Sequence, residues 1–478
     1  AARRVAARTA WLAALTGAAG LAFALIVAAP FVRLVLTRDY YELYRGYMLP
    51  VPDVAYSFVA PFGIPIALAA AAGLALGFRS GLLRGSAALF VATEGLLAVA
   101  VWSLLIRQVG MQYAFHIAPA IVVGLVALGW TLWNGSRRAR AGLILGLVYI
   151  VITFGVSLGF PPQTDSAWLK ALLPADAAPF HRDDLEALRS LVDRLRMTCG
   201  PDQPILVVSS SYTLNSDLLV QAERQFYGRA NTRLTVVPTA EVDTRDSYPV
   251  SRLIAAQCAV VAIPLQLHLA ADEQDLLSVS HAMFRDRVGV ARDFERDPGT
   301  LELRWGVQVE VFRRVRPTPP EHGLETLRLF ESAIPEPPPT QPRWVMVGGS
   351  FPAWVTALAD SATRIVLHPT PRDAGAATVA VHLGQDDGPL EVRGALTFFN
   401  PRCQGVELRI GSMALGGVED ATSIMSRPGT LPATFVAAVN VPEGRPLALL
   451  ATIPEGQESI DYCLVRVDEI RVTTRAGG

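Results

Sequence analysis

Charge is scarce in this 478-residue chain: 18% of its residues are Asp, Glu, Lys or Arg, against about 25% in ordinary soluble domains. With 51% hydrophobic residues and a mean hydropathy of +0.33, that shortage argues against a wholly soluble protein. Neither sign is in excess, 42 basic residues standing against 43 acidic ones, so there is no global electrostatic case for nucleic-acid binding. Lysine is nearly missing, Lys170 being the one example. The Gly-x-Gly-x-x-Gly and Walker patterns are missing too, which leaves a nucleotide phosphate cradle unsupported. No His, Cys, Asp or Glu set has metal-ligand spacing, so no metal is expected from these residues. The chain opens Ala1-Ala2-Arg3-Arg4 without an initiator Met and is expected to be a fragment.

What is abundant is apolar sequence, and it is segregated. Residues 10–36, 58–78, 86–106, 114–133 and 142–160 are long apolar runs, each near the ~20 residues that span a bilayer core. The expectation is five transmembrane helices within residues 1–160. Arg3, Arg4 and Arg8, then Arg79 and Arg84, then Arg137, Arg138 and Arg140 fall in alternate loops. The positive-inside rule makes those loops cytoplasmic. The loops at 37–57 and 107–113, and everything after residue 160, then face the extracytoplasmic side of an inner or plasma membrane. All four cysteines, Cys199, Cys258, Cys403 and Cys463, lie in that outward part, as suits disulfides in an oxidising compartment. Pairing Cys199 with Cys258 and Cys403 with Cys463 keeps each bond inside one domain, although four cysteines allow three connectivities and free buried thiols are the alternative.

Residues 161–315 read as an exoplasmic α/β domain. Leu185, Leu188, Leu191, Val192 and Leu195 share one helix face. The runs Pro204-Ile-Leu-Val-Val and Cys258-Ala-Val-Val-Ala-Ile suit buried parallel strands, and Val307-Gln-Val-Glu-Val-Phe alternates with period two. Ligands of such sheets bind at the carboxyl ends of the strands, which singles out Ser209, Ser210, Ser211 and Asn215, together with Asp243-Thr-Arg-Asp246. Turn and helix-cap chemistry is the competing reading of both. Residues 316–343 are a Pro-rich linker, a semi-rigid spacer around one short helical stretch. Residues 344–478 carry short alternating runs broken by Gly, Pro, Asn and Asp, the pattern of an antiparallel, jelly-roll-like β-sandwich. Trp344, Trp354, Phe398 and Phe399 could stack on sugar rings or fill its core.

Three features fall at the outer membrane boundary. Tyr40, Tyr44 and Tyr47 follow helical spacing around Arg45, either as an aromatic belt or as a lipid-phosphate and sugar contact. Arg107, Gln112 and His116 cluster where a lipid phosphate would lie, and a guanidinium fork suits phosphate oxygens. Glu94 is an ionisable group within a span, a functional candidate unless it is bonded between helices.

The Arg107-x-x-x-x-Gln112-x-x-x-His116 boundary is joined by the phrases Ser209-Ser-Ser-Tyr-Thr-Leu-Asn-Ser-Asp-Leu-Leu, Val242-Asp-Thr-Arg-Asp-Ser-Tyr-Pro and Ala262-Ile-Pro-Leu-Gln-Leu-His-Leu. Over residues 1–315 this arrangement resembles the C-terminal half of bacterial polytopic glycosyltransferases of the GT-C superfamily. Their relatives include dolichyl-phosphate-mannose protein mannosyltransferases and lipid A aminoarabinose transferases. The resemblance implies transfer of a sugar from a polyprenyl-phosphate donor to a glycan, lipid or protein acceptor on the outer face, with inversion. It further implies that Arg107, Gln112, His116, Arg45 and Tyr44 line the lipid-phosphate and donor site. The catalytic base, an acidic residue of the first outward loop, is expected upstream of Ala1, and a divalent metal is an expectation for the full-length enzyme only. The alternative is a non-catalytic, membrane-anchored envelope protein that displays a glycan-binding sandwich through Trp354, Phe398 and Phe399. A transporter is disfavoured by the lack of an internal repeat.

Overall fold

The computed structural model describes residues 44–108, 111–159, 172–173, 182–349 and, between loop gaps, 354–474, with isolated positions before residue 44. The chain divides into two compact units, residues 1–181 and 182–478.

In the first unit, helix α1 (Val51–Val59) is followed by α2 (Ile64–Arg79), α3 (Gly85–Val101) with a π-turn over Trp102–Ile106, the single turn α4 (Met111–Ala114), α5 (Ala118–Trp133) and α6 (Arg137–Gly159). Among the described residues, two helices are long and apolar enough to cross a membrane, Gly85–Ile106 and Arg137–Val156, or three if α1 and α2 form one bent span. Of the five expected spans, the runs at 86–106 and 142–160 are therefore matched by helices of spanning length. The run at 58–78 counts residues on both sides of a 75° bend, where Pro61 interrupts the helix and Gly63 takes a φ of 81°. The run at 114–133 counts a separate turn, which leaves α5 with 16 residues, about 24 Å of helix. Most of the run at 10–36 lies outside the described residues. Helices α2 and α5 touch backbone to backbone: a Cβ on Gly73 would lie 1.9 Å from the Gly124 carbonyl oxygen, the close approach that small residues permit in lipid.

The second unit is layered. Helix α7 (Leu185–Thr198) and helix α8 (Ser216–Tyr227) cover one face of a sheet of β1 (Pro204–Val208), β2 (Thr235–Val237), β3 (Cys258–Ile263), β4 (Phe294–Arg296), β5 (Leu301–Leu303) and β6 (Val307–Arg314). The order is β2-β1-β3-β6-β4, with β5 also on β6; β2, β1 and β3 run parallel and β6 is antiparallel to β3. Leu188, Leu191, Val192 and Leu195 form the buried stripe of α7.

The opposite face is covered by α9 (Val250–Ala255), α10 (Asp275–Asp286) and α11 (Pro320–Ala333). Beyond them stands a sandwich. Its inner sheet has the order β13-β12-β15-β10-β7 and its outer sheet the order β14-β11-β16-β9-β8. The inner strands are β7 (Trp344–Gly348), β10 (Thr378–His382), β12 (Val406–Ala414), β13 (Gly417–Ser426) and β15 (Leu447–Thr452). The outer ones are β8 (Trp354–Ala357), β9 (Thr363–Leu367), β11 (Gly388–Phe398), β14 (Ala433–Val441) and β16 (Val465–Thr474). Strand alternation sorts the inner sheet into two interiors. Trp344 and Met346 face the sandwich core, while Val345 and Val347 join Leu327 and Phe330 in the core shared with the α/β domain. The segment expected as a spacer therefore contains a 14-residue helix whose Gly323, Thr326, Leu327 and Phe330 are buried. It joins the domains instead of separating them.

Disulfides link Cys199 to Cys258 and Cys403 to Cys463.

Candidate functional site

At the end of α3, Arg107 has a left-handed backbone (φ 56°). Its Nε and one Nη donate to the Leu49 carbonyl at 3.2 and 3.1 Å, and the Leu49 N–H donates back to the Arg107 carbonyl at 3.0 Å. A bridge between Met48 and Gln108 extends this clasp. It places the segment of Tyr44 and Arg45 beside Arg107, where the sequence had them as separate features. The described part of that segment is a short 3-10 turn over Arg45–Tyr47. The Tyr44 and Tyr47 rings are 6.2 Å apart, and Tyr40 lies outside the described residues. Trp102 stacks on Tyr113 at 3.8 Å and reaches the His116 ring at 5.8 Å. His116 and Gln112 are both exposed. Glu94 is half-buried within α3.

At the carboxyl edge of the α/β sheet, the three phrases that carried the family resemblance converge. Ser210 N–H donates to the Gln266 carbonyl at 2.9 Å and the Ser211 hydroxyl to Gln266 Oε1 at 3.3 Å. Gln274, fully buried, ties the edge together. Its Oε1 accepts from the N–H groups of His268 and Leu269, both at 2.9 Å, and its Nε2 donates to the Glu241 carbonyl at 2.7 Å. The serines and Asn215 serve turns and caps here: Ser209 bonds the Leu214 carbonyl and Asn215 caps α8 through the Leu218 N–H. Asp243 likewise caps α10, accepting from the N–H groups of Asp275 and Leu276, and burial raises its pKa against those bonds. Asp246 is opposed by burial but held lowered overall by Arg245 and two backbone N–H groups.

Glu241 carries no equivalent relief. Burial raises it from 4.5 to about 7, with Arg245 opposing. A carboxyl of that kind can hold or release a proton at neutral pH. The folded chain binds this proton more tightly than the unfolded one. Its contribution to stability is therefore present below the unfolded value of 4.5 and lost as pH rises through about 7. Glu241→Gln should raise the melting temperature at about pH 8 and change it little at about pH 5, which thermal unfolding at the two pH values will read.

The third place is the outer sheet of the sandwich. Strand pairing sets Trp354 opposite Val366, Val366 opposite Arg466, and Arg466 opposite Thr397, so the four residues form one row across β8, β9, β16 and β11. Two residues beyond Thr397, Phe399 is 53% exposed, with the Arg466 guanidinium 5.8 Å from its ring centroid. Around them Arg364 and Arg466 both donate to Asp468, at 3.0 and 2.5 Å, and Arg393 pairs with Glu391 at 2.5 Å. Phe398 is corrected: it opposes Val465 and packs against the sandwich core. Trp344, 1% exposed, takes the core alternative. The arginines were missed by sequence reasoning, although the alternation in Val465-Arg-Val-Asp would have placed Arg466 and Asp468 on the polar face.

No known family model and no curated protein matches the chain. Among solved structures, the N-terminal cellulose-binding domain of a Cellulomonas fimi β-1,4-glucanase aligns at 14% identity over 28% of this chain and 90% of that one, with a TM-score of 0.20. A CBM22-1 xylan-binding domain from Paenibacillus barcinonensis aligns at 12% identity over 28% and 87%, with a TM-score of 0.18. The enzymatically active domain of bacteriophage CBA120 tailspike protein 4 aligns at 16% identity and a TM-score of 0.19, over 27% of this chain and 19% of that one. Similarity at this level assigns this chain no substrate.

Proposed function

We propose that this chain is a membrane-anchored envelope protein that binds glycan on the outer sheet of its β-sandwich, with residues 161–478 on the extracytoplasmic side. The observation that carries the reading is exposed Phe399 beside the Arg466 guanidinium, on the sheet face that also holds Arg364, Asp468, Glu391 and Arg393. A sugar ring presents apolar C–H faces and polar hydroxyl edges. A sheet face that sets an exposed aromatic beside arginine and carboxylate groups meets both, as ligand sites combining apolar surface with a few fixed polar groups do. In the purified full chain, Phe399→Ala and Trp354→Ala should each weaken retention on immobilised polysaccharide by roughly tenfold, the loss of about 1.4 kcal/mol. Undiminished retention in both variants would refute the assignment.

A second reading is sugar transfer from a polyprenyl-phosphate donor. It is supported by the Arg107 clasp, which fixes a guanidinium at the end of an apolar helix. The remaining N–H groups of that fork are suited to a phosphate leaving group. This reading expects Arg107→Ala, introduced into the producing cell's own gene, to abolish transfer while the protein still accumulates. Normal transfer in that strain would remove Arg107 from the site.

A further inference from the structure

We infer that the outer sheet of the sandwich takes an anionic glycan, one whose sugars carry carboxylate groups. The inference rests on the glycan-binding reading and specifies its ligand.

The observation is a like-charged pair. Arg393 on β11 lies directly opposite Arg471 on β16, and both are exposed. Directly opposed residues of an antiparallel pair hold their Cβ atoms about 5 Å apart, and like charges there are destabilising. Arg393 has Glu391 as its ion-pair partner. Arg471 has no hydrogen-bond or ion-pair partner among the described residues. Further along β16 on the same face, Arg466 and, from the neighbouring strand β9, Arg364 converge on the single carboxylate of Asp468. Two of the described carboxylates here, Glu391 and Asp468, are thus already engaged by Arg393, Arg364 and Arg466. Glu469 lies in the β16 bulge, with a φ of 53°. From Arg393 to Phe399 the face extends about 20 Å at ~3.3 Å per residue, so one extended polymer can reach the arginine pair and the aromatic together. A carboxylate bridging Arg393 and Arg471 relieves their repulsion and gains charge-assisted hydrogen bonds, which the planar guanidinium fork is shaped to give. A neutral glycan gains the stacking alone.

The test compares matched polymers on the purified full chain by titration calorimetry. Polygalacturonate, alginate and hyaluronan are each paired with a carboxyl-reduced form that keeps the backbone and loses the charge, and poly-glutamate serves as a polyanion without sugar. At least one acidic polymer should bind roughly tenfold or more tightly than its reduced form, the scale of one charge-assisted hydrogen bond. That preference should shrink in about 1 M salt, where the screening length falls to ~3 Å. Arg471→Gln should erase the preference while leaving thermal stability unchanged or raised, because it removes a like-charge contact. Phe399→Ala should weaken acidic and reduced forms alike.

Equal affinity for acidic and reduced forms would overturn the anionic assignment and leave the glycan reading standing. Poly-glutamate binding as tightly as any polysaccharide, with no effect of Phe399→Ala, would overturn the glycan reading itself. Binding to none of the polymers would overturn both.

Discussion

Gly323→Val should make the C-terminal unit unfold in two steps where the native chain unfolds in one. Gly323 is the fourth residue of α11, on the face that meets the inner sheet of the sandwich. A Cβ at this position would lie 1.7 Å from the Val347 carbonyl oxygen and 2.4 Å from its carbonyl carbon. Those are backbone atoms of β7, so no side-chain rotation relieves the clash. The helix must withdraw, and Leu327 and Phe330, one and two turns further along the same face, withdraw with it from Val345 and Val347. Overpacking of this kind costs typically 1–3 kcal/mol and occasionally more. Here the cost falls on the one core shared by the α/β domain and the sandwich, whereas the core between the sheets and the core beneath α7 and α8 are untouched. Urea unfolding followed by fluorescence should therefore show two transitions in the variant. Glu321→Val, two residues earlier on the exposed side of the helix, should stay within about 0.5 kcal/mol of the native protein. A single unshifted transition in Gly323→Val would mean that α11 does not hold the two domains together.

The sequence resolved what is local. The apolar stripe of α7, the buried runs of β1 and β3 and the alternation of β6 depend on neighbours within one element, and each is where its pattern puts it. Membrane spans were less legible, because hydropathy counts apolar residues straight through the Pro61–Gly63 bend between α1 and α2. The spacer reading of 316–343 followed its prolines. It underweighted Gly323, Leu327 and Phe330, whose partners in β7 lie beyond the helix. The outer sheet shows the limit most clearly. Phe398 and Phe399 are adjacent and point to opposite faces of a strand, and only the register of β11 with β16 settles which one is in the core. Arg393 and Arg471, or Arg364 and Asp468, meet across long stretches of chain. The bulge after Val467 also breaks the alternation that would have aligned them. Gln274 looks like any helix-start residue until the loops holding Glu241 and His268 close over it.

Removing the Cys403–Cys463 bond should cost about 4 kcal/mol, the chain-entropy scale for a loop of 60 residues. Cys403 lies just ahead of β12 in the inner sheet and Cys463 just ahead of β16 in the outer one. The bond therefore ties the two layers of the sandwich at one end of their shared core, and both sulfurs are buried in it. Domains of this kind carry a net stability of about 5–15 kcal/mol, so this one bond accounts for a large fraction of the sandwich's margin. Strand β16 also supplies Arg466, Asp468 and Arg471 to the outer face, and loosening its start should weaken polysaccharide retention below the temperature at which the sandwich melts. The matched experiment replaces Cys403 and Cys463 with serine in one variant and Cys199 and Cys258 in another. The second bond closes a loop of similar length, 59 residues, yet joins the end of α7 to the start of β3. Its removal should destabilise the α/β sheet comparably while leaving glycan retention intact at temperatures where that sheet is folded. Equal loss of retention in both variants would show that binding follows overall stability. Retention lost in the first variant alone would assign it to the outer sheet. A Cys403→Ser, Cys463→Ser protein unfolding within about 1 kcal/mol of the native chain would instead show that the apolar core between the sheets holds them without the bond.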